Sequence, residues 1–164
     1  MTAKERIVHY LQASPTYYFA CGDEVKIGTV YRARDRRKYP HINNVTVDKV
    51  LEMYRPENMI PHHSALFMTD TALPRHLIRL GVDWTYLYEV EPLGVVEKHN
   101  MGWADQIHWL LANDGLRYED RRVKNATLKY WQGKPYPKRR LQRWEYLTTS
   151  FRFIRLAAHN PYED

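Results

Sequence analysis

The sequence has little cysteine, and its apolar residues are scattered rather than collected in long runs. Its 164 residues include a single cysteine, Cys21, which excludes an internal disulfide and a cysteine-rich zinc cluster and fits a reducing compartment. No stretch approaches the ~20 consecutive apolar residues of a membrane-spanning helix, and residues 1–6 lead into no apolar signal segment. We therefore expect a cytoplasmic protein with no membrane partner.

Glycine-containing signatures of common enzymes are also missing. The sequence has no Gly-x-Gly-x-x-Gly, no Gly-x-x-x-x-Gly-Lys-Ser/Thr and no Gly-x-Ser-x-Gly pattern, so the usual dinucleotide, P-loop and hydrolase motifs are excluded. His62 and His63 form the one adjacent pair of histidines. Because neighbouring residues on a strand point to opposite faces, this pair does not predict a metal site, and we expect none.

No repeat, low-complexity tract or Gly/Ser-rich linker divides the chain. A continuous chain of 164 residues has the size of one domain and can bury most of its apolar surface in a single core. We predict one domain over residues 1–164.

Positive charge and aromatic residues are what the chain has in excess. It carries 25 Lys and Arg against 19 Asp and Glu, a formal charge of +6, with clusters at residues 32–38 and 134–143. Its 13 Tyr and 5 Trp suit a core and a stacking surface for a planar ligand. One interpretation is a non-enzymatic module in which residues 34–38 and 138–143 bind nucleic acid or an acidic protein. Loops of this composition are otherwise simply solvated.

The periodicity of apolar residues predicts a mixture of strands and helices. Predicted strands cover residues 16–20, 29–33, 64–69, 84–91 and 144–156. Predicted helices cover residues 4–11, 47–54 with Thr46 as cap, 103–111 and 128–131, with a two-turn helix between Pro74 and Gly81. Because there is no regular β-α-β alternation, we predict an α+β fold around a split, mostly antiparallel sheet with flanking helices.

A single carboxylate, Glu145, stands at the head of the last predicted strand. A carboxylate that faces a cleft suits a reaction in which positive charge develops, such as chemistry at a glycosidic carbon. The alternative is an exposed carboxylate at a strand edge, paired with Arg143 or Arg152, which contributes almost nothing to stability.

Three windows together resemble the mono-ADP-ribosyltransferases. The segment Val-Tyr-Arg-Ala-Arg-Asp-Arg at residues 30–36 resembles the first strand of the arginine-type enzymes, and Arg32 occupies the position of their NAD-binding arginine. Ser64, within His-Ser-Ala-Leu-Phe, resembles the serine of their second conserved strand. Glu145 resembles the glutamate that completes the set, and the order arginine, serine, glutamate is the order of the family.

The resemblance implies an enzyme that uses NAD as co-substrate. It would transfer ADP-ribose to a macromolecular acceptor, a protein or a nucleic acid, with release of nicotinamide, and Glu145 would be catalytic. Arg32, Ser64 and His63 would bind NAD, and the flat side chain beside nicotinamide would be Phe67, Tyr18 or Tyr54. A further alternative is an NAD glycohydrolase, in which water takes the place of the acceptor.

Other alignments stay open. Tyr17-Tyr18-Phe19-Ala20-Cys21-Gly22 can serve as the first strand of the family, in which case Arg32 leaves the site. Residues 51–56 and 61–64 resemble a bacterial and phage branch of the same fold. Arg143 stands where many modifiers of protein arginine carry a second acidic residue, and Leu66 stands where a second serine is common.

Overall fold

The computed structural model describes residues 15–35, 45–72, 84–137 and 141–160. These ranges form seven β-strands, three α-helices and two 3-10 turns. The strands are β1 (Tyr17–Cys21), β2 (Val30–Arg32), β3 (Leu66–Met68), β4 (Tyr86–Pro92), β5 (Glu97–Asn100), β6 (Trp144–Thr148) and β7 (Ser150–His159). The helices are α1 (Val45–Met53), α2 (Met101–Ala112) and α3 (Arg121–Trp131), and the 3-10 turns are Ala33–Asp35 and His62–Ser64. None of the helices in these ranges is long and apolar enough to cross a bilayer.

The strands form two antiparallel sheets. The first sheet has the order β1-β4-β7-β2, and the second has the order β3-β6-β5. Strands β6 and β7 are joined through Thr149 but belong to different sheets. The sheets also meet where Tyr18 and Thr69 exchange two backbone hydrogen bonds of 2.8 and 2.9 Å. The predicted α+β class with antiparallel sheets is therefore confirmed.

The second sheet lies between the first sheet and the helices. One of its faces contributes Leu66, Met68 and Tyr146 to a core shared with β4 and β7. On the other face, the His99 ring stacks on Tyr130 of α3. Residues that alternate along one strand therefore enter two different cores. The helical core consists of Val47, Val50, Leu51, Trp103, Ile107, Leu110, Val123, Ala126, Tyr130 and Trp131.

The helices largely follow the predicted periodicity, and their caps differ from prediction. Thr46 is the second residue of α1, so its prediction as a cap is wrong. Asn100 caps α2 by accepting a hydrogen bond from the Gly102 amide at 2.9 Å. The stretch predicted at 128–131 is only the end of α3, which begins after Asp120, the cap of that helix. Residues 123, 126, 127 and 130 form a buried face of α3, but the basic residues of its first turns make this apolar pattern hard to recognise in the sequence.

The strand predictions were wrong in three places. The single strand predicted for 144–156 is two strands, β6 and β7. Ser64 ends a 3-10 turn and precedes β3 instead of lying on it. Strand β5 was not predicted, because its sequence Glu-Lys-His-Asn has no apolar alternation. The helices predicted at 4–11 and after Pro74 lie outside the described residues.

Side-chain hydrogen bonds join the residues that follow α3, 132–137, to those that precede β6, 141–143. The Gln142 side-chain carbonyl accepts hydrogen bonds from the Asn100 side chain at 2.6 Å and from the Tyr136 amide at 2.8 Å. The Gln142 side-chain amide donates to the Tyr136 carbonyl at 2.9 Å. This network joins the start of α2 to the start of β6 and so fixes the strand that carries Glu145.

Gly133 follows Gln132, the cap of α3, and has a backbone conformation that a residue with an L side chain adopts only with strain. Its φ is +65°, and a Cβ atom there would lie 2.8 Å from the Lys98 carbonyl oxygen of β5. Gly115 has a φ of +63° but faces open space. Both glycines therefore avoid the same backbone strain, and only Gly133 also permits close approach of a helix end to a strand.

We expect Gly115→Ala to destabilise the protein by about 1–2 kcal/mol through left-handed strain alone. Gly133→Ala adds a clash with backbone and should be more destabilising by at least about 1 kcal/mol. Urea unfolding followed by circular dichroism measures both. Equal losses for the two variants would show that the contact with Lys98 relaxes freely.

Candidate functional site

Glu145 lies on the helix-facing side of the second sheet. It is the second residue of β6 and is paired across the sheet with His99 of β5. The side chain is half-buried, and its Oε1 accepts a hydrogen bond of 2.5 Å from the Tyr130 hydroxyl. Among the described residues, its second oxygen, Oε2, has no hydrogen-bond partner. One carboxylate oxygen is thus fixed by a hydrogen bond, and the other is not.

The interpretation of Glu145 as a surface ion pair is wrong. Arg143 precedes β6, and its guanidinium pairs with Asp105 of α2. Arg152 pairs with Glu91 on the neighbouring strand β4, at 3.7 Å. Both arginines therefore have other acidic partners, and Glu145 is held by a neutral hydroxyl.

Tyr130 is the centre of the site. Its residue is 0% exposed, and burial, followed by the charge and hydrogen bond of Glu145, raises its pKa well above the ordinary value of a phenol. The hydroxyl consequently keeps its hydrogen at neutral pH. A buried hydroxyl without a partner is costly, so the position of Tyr130 requires the groups around it.

His62 continues the hydrogen-bond chain from Tyr130 toward solvent. Its Nε2 lies 2.8 Å from the Tyr130 hydroxyl oxygen, and its Nδ1 lies 3.1 Å from Oδ1 of Asp48 on α1. The Asp48 side chain is 54% exposed, whereas that of His62 is only 13% exposed. The rings of Phe67 and Trp131 contact the imidazole, with centroids 5.3 and 5.6 Å away. We call Asp48, His62, Tyr130 and Glu145 the four-residue chain.

A second histidine and carboxylate support Tyr130 from the other side. The His99 ring stacks on the Tyr130 ring at 4.6 Å, and His99 Nδ1 donates to the Tyr130 carbonyl at 2.9 Å. His99 Nε2 lies 3.0 Å from Glu97, whose other oxygen accepts from the Ile60 amide at 2.6 Å. The Glu97 side chain is 9% exposed and that of His99 is 2% exposed. This pair fixes the loop before His62 to the sheet.

Several of the predicted NAD-binding residues lie beside this cluster. His63 and Ser64 share the 3-10 turn of His62, and Phe67 packs edge-on against the His62 ring. Arg32 ends β2 opposite Ser150, and the turn that follows it, Ala33–Asp35, lies against the turn His62–Ser64. The turn after Arg32 is thus adjacent to the turn of Ser64, and that second turn is joined to Tyr130 through His62.

The other two predicted aromatic neighbours lie elsewhere. Tyr18 packs with Trp84 and Leu87 on the face of β1 opposite to Phe19, which joins the core between the sheets. Tyr54 packs against the helical core, and its hydroxyl donates to the Tyr118 carbonyl at 3.2 Å. Of the three aromatic candidates, Phe67 is the one whose ring contacts the four-residue chain.

Five members of the cluster were not predicted as site residues, namely Asp48, His62, Glu97, His99 and Tyr130. His62 and Tyr130 are 68 residues apart in sequence, so no local spacing relates them. Only the apolar period of α3 indicates that Tyr130 is buried, and burial of its hydroxyl in turn requires a polar partner. Within the described ranges, no group of three or more His, Cys, Asp or Glu residues has the arrangement of a metal site.

Comparison of the chain with protein-family models, with curated proteins and with solved structures finds no significant match.

Removal of the Tyr130 hydroxyl should destabilise the protein. Tyr130→Phe leaves Glu145 Oε1 and His62 Nε2 without their shared partner, and we expect a loss of about 1–3 kcal/mol at neutral pH. Tyr118→Phe, which changes a part-buried tyrosine at the same helical core, is the matched control and should stay within about 0.5 kcal/mol of the wild type. Chemical denaturation measures the difference.

The same variant tests the raised pKa of Tyr130. An unfolded tyrosine ionises near pH 10, whereas the folded protein keeps Tyr130 protonated to higher pH. The resulting stabilisation is fully present below pH 10 and is lost as pH rises toward the folded pKa. The stability gap between wild type and Tyr130→Phe should therefore narrow above pH 10, by up to about 1.4 kcal/mol per pH unit. A gap that stays constant in alkali would contradict the buried, protonated hydroxyl.

Proposed function

We propose that this protein is an NAD-dependent ADP-ribosyltransferase in which Glu145 is the catalytic carboxylate. The observation that carries the proposal is the state of this side chain. It is half-buried, its Oε1 is fixed by a buried hydroxyl, and its Oε2 has no partner among the described residues. The turn of Ser64 adjoins the same hydrogen-bond chain through His62, and the turn after Arg32 lies against it.

The reaction needs what this carboxylate offers. The bond from ribose C1′ to nicotinamide already has a cationic leaving group, so no general acid is required, and the transition state resembles an oxocarbenium ion. A fixed carboxylate oxygen within hydrogen-bond reach of a ribose hydroxyl opposes that charge more strongly as it develops. Preorganised groups of this kind contribute on the order of 3–4 kcal/mol to the transition state.

The neighbouring residues have roles that fit NAD. The guanidinium of Arg32 can bind the pyrophosphate in a bidentate manner, and the Ser64 hydroxyl can position the ribose. Phe67 offers a flat apolar ring for nicotinamide, with His63 beside it in the adjoining turn. Tyr18 belongs to the other alignment, in which residues 17–22 form the first strand of the family.

The acceptor in this proposal is a macromolecule. The formal charge of +6 favours a nucleic acid or an acidic protein surface. Incubation with NAD labelled in its adenosine half distinguishes the outcomes. Label on an added macromolecule indicates transfer, and free ADP-ribose alone indicates an NAD glycohydrolase. No NAD binding at millimolar concentration, with salt-dependent binding of nucleic acid, would favour the non-enzymatic module.

Arg32→Lys tests the assignment of the pyrophosphate. Lysine keeps the charge but cannot form the bidentate contact, so NAD should bind more weakly by about 1.5–3 kcal/mol. Isothermal titration measures this affinity. Arg152→Lys, on the adjoining strand and paired with Glu91, is the matched control and should bind NAD as the wild type does. Unchanged affinity for Arg32→Lys would favour residues 17–22 as the family strand.

Glu145→Gln tests the catalytic role. Glutamine keeps an oxygen that accepts the Tyr130 hydrogen bond, so the fold and the NAD affinity should change little. Loss of the charge should slow nicotinamide release by about 100-fold or more. The control Glu91→Gln removes an exposed carboxylate and should retain the parental rate. Near-parental turnover of Glu145→Gln in an NAD-cleaving protein would refute the assignment.

A further inference from the structure

The exposed side of α3 is basic. Residues 117–134 include six Lys or Arg against two Asp or Glu, which gives this stretch a net charge of +4 out of the total of +6. Both acidic residues, Glu119 and Asp120, precede the helix, and Asp120 caps it and pairs with Arg122. Every charged residue within α3 itself is therefore cationic.

The other cations of this stretch are not neutralised by their surroundings. They are exposed, and within the described ranges none of them forms an ion pair: Arg117, Arg121, Lys124, Lys129 and Lys134. On the first sheet, by contrast, Arg152 and Arg155 pair with Glu91 and Glu89. The charge of α3 is therefore available to attract a polyanion from solution.

A row of polar side chains lies along the middle of this exposed side. The buried side chains of α3 pack into the helical core and define the inner side of the helix. Opposite them, Arg121, Asn125 and Gln132 are exposed and follow one another at helical spacing, with the half-buried Leu128 between Asn125 and Gln132. A guanidinium and two side-chain amides, which all donate hydrogen bonds, thus lie in one row.

Two lysines lie on the flanks of this row. The Lys124 ammonium is 5.6 Å from the ring centroid of Tyr54, which follows α1, whereas the Lys129 ammonium is 4.8 Å from the ring centroid of Trp103 in α2. One positive charge therefore lies toward α1 and the other toward α2. The rings limit the freedom of both ammonium groups without cancelling their charge.

We propose that the exposed side of α3 binds duplex DNA, with the helix in the major groove and the two flanking lysines on the phosphates of opposite strands. A helix about 10–12 Å in diameter fits a major groove about 12 Å wide. The 11 residues of α3 span about 16 Å, which corresponds to roughly five phosphates along one strand. The row of Arg121, Asn125 and Gln132 then faces the base edges, which offer acceptors to these donors.

Other partners fit this side of the helix less well. A protein interface has an apolar centre, and proteins that bind single strands stack bases on exposed aromatic rings. In α3 the polar row contains only the half-buried Leu128, while Tyr130 and Trp131 are buried. The major groove of duplex RNA is too narrow for side chains to read. A membrane-surface helix needs large apolar residues on its exposed side, and α3 has none.

The binding surface does not depend on the proposed function, and only the role of bound DNA as the acceptor of ADP-ribose rests on it. Tyr130 contacts Glu145 from the buried side of α3, so the duplex and the carboxylate lie on opposite sides of the helix. The exposed side is therefore a docking surface and contains no catalytic residue. Variants of this surface should cleave NAD at the parental rate when no DNA is present.

Salt-dependent binding of a labelled duplex to the full chain tests the surface. The logarithm of affinity should fall linearly with the logarithm of salt concentration, and Lys124→Gln with Lys129→Gln should reduce that slope by about 1.8, since each phosphate contact contributes about 0.9. The matched control, Lys26→Gln with Lys49→Gln, removes the same charge from exposed lysines elsewhere and should keep the parental slope. Fluorescence anisotropy measures both variants. Equal losses of slope would overturn the inference, because binding would then follow net charge alone.

Amide chemical shifts in NMR spectra of the full chain locate the bound duplex independently. We expect the shifts that follow addition of the duplex to concentrate at residues 117–134. Shifts concentrated at residues 32–38 or 138–143 would overturn the inference, and so would the absence of binding at low salt. Equal or tighter binding of single-stranded DNA, duplex RNA, polyglutamate or anionic vesicles would overturn the choice of partner. If the chain binds the duplex through α3 but does not cleave NAD, the proposed function fails while the docking surface stands.

Discussion

The arrangement of helices on the second sheet depends on one buried hydroxyl. Tyr130 is fully buried in α3, and its oxygen lies within hydrogen-bond distance of both Glu145 and His62. A buried hydroxyl that lost both partners would be destabilising by about 1–3 kcal/mol. The rotation of α3 about its axis, the turn that carries His62 and the register of β6 must therefore agree with one another. Trp131 strengthens this constraint, because its indole nitrogen donates to the Leu51 carbonyl of α1 at 2.9 Å.

The register of strand β6 is strongly specified because its two faces lie in different environments. Glu145 faces the helices, where it accepts a hydrogen bond from Tyr130. Tyr146 faces the core between the sheets, and its hydroxyl donates to Asp70 at 2.8 Å. Burial and that hydrogen bond raise the pKa of Tyr146. A slip by one residue would bring the carboxylate into the core between the sheets and the aromatic ring against the helices. Both sides of the strand oppose such a slip.

The sequence predicts the class of the fold better than it predicts the site. The alternation and helical spacing of apolar residues located most strands and helices. These patterns reflect which side chains are buried, and burial of apolar surface is the main driving force of folding. Strand β5 escaped because Glu97 and His99 are buried as a mutually bonded pair, which composition cannot distinguish from a polar loop. Glu145 was predicted as a site residue from its window, whereas its hydrogen-bond partner Tyr130 was not predicted. The environment of Tyr18 also depends on which residues cover each face of the first sheet. That covering is set by tertiary packing, which the local sequence does not reveal.

In the proposed function, the hydrogen bonds that stabilise the fold around Tyr130 also position the catalytic carboxylate, Glu145. A carboxylate held by a rigid, buried partner loses its conformational freedom during folding, so a ligand that meets Oε2 need not immobilise it again. The Tyr130 hydroxyl carries a single hydrogen, so it can donate to only one of its two neighbours, Glu145 and His62, at a time. His99 and Glu97 brace the opposite side of the tyrosine without contacting its hydroxyl. Tyr130 is thus held at both ends, since His99 contacts its backbone carbonyl while Glu145 and His62 contact its hydroxyl.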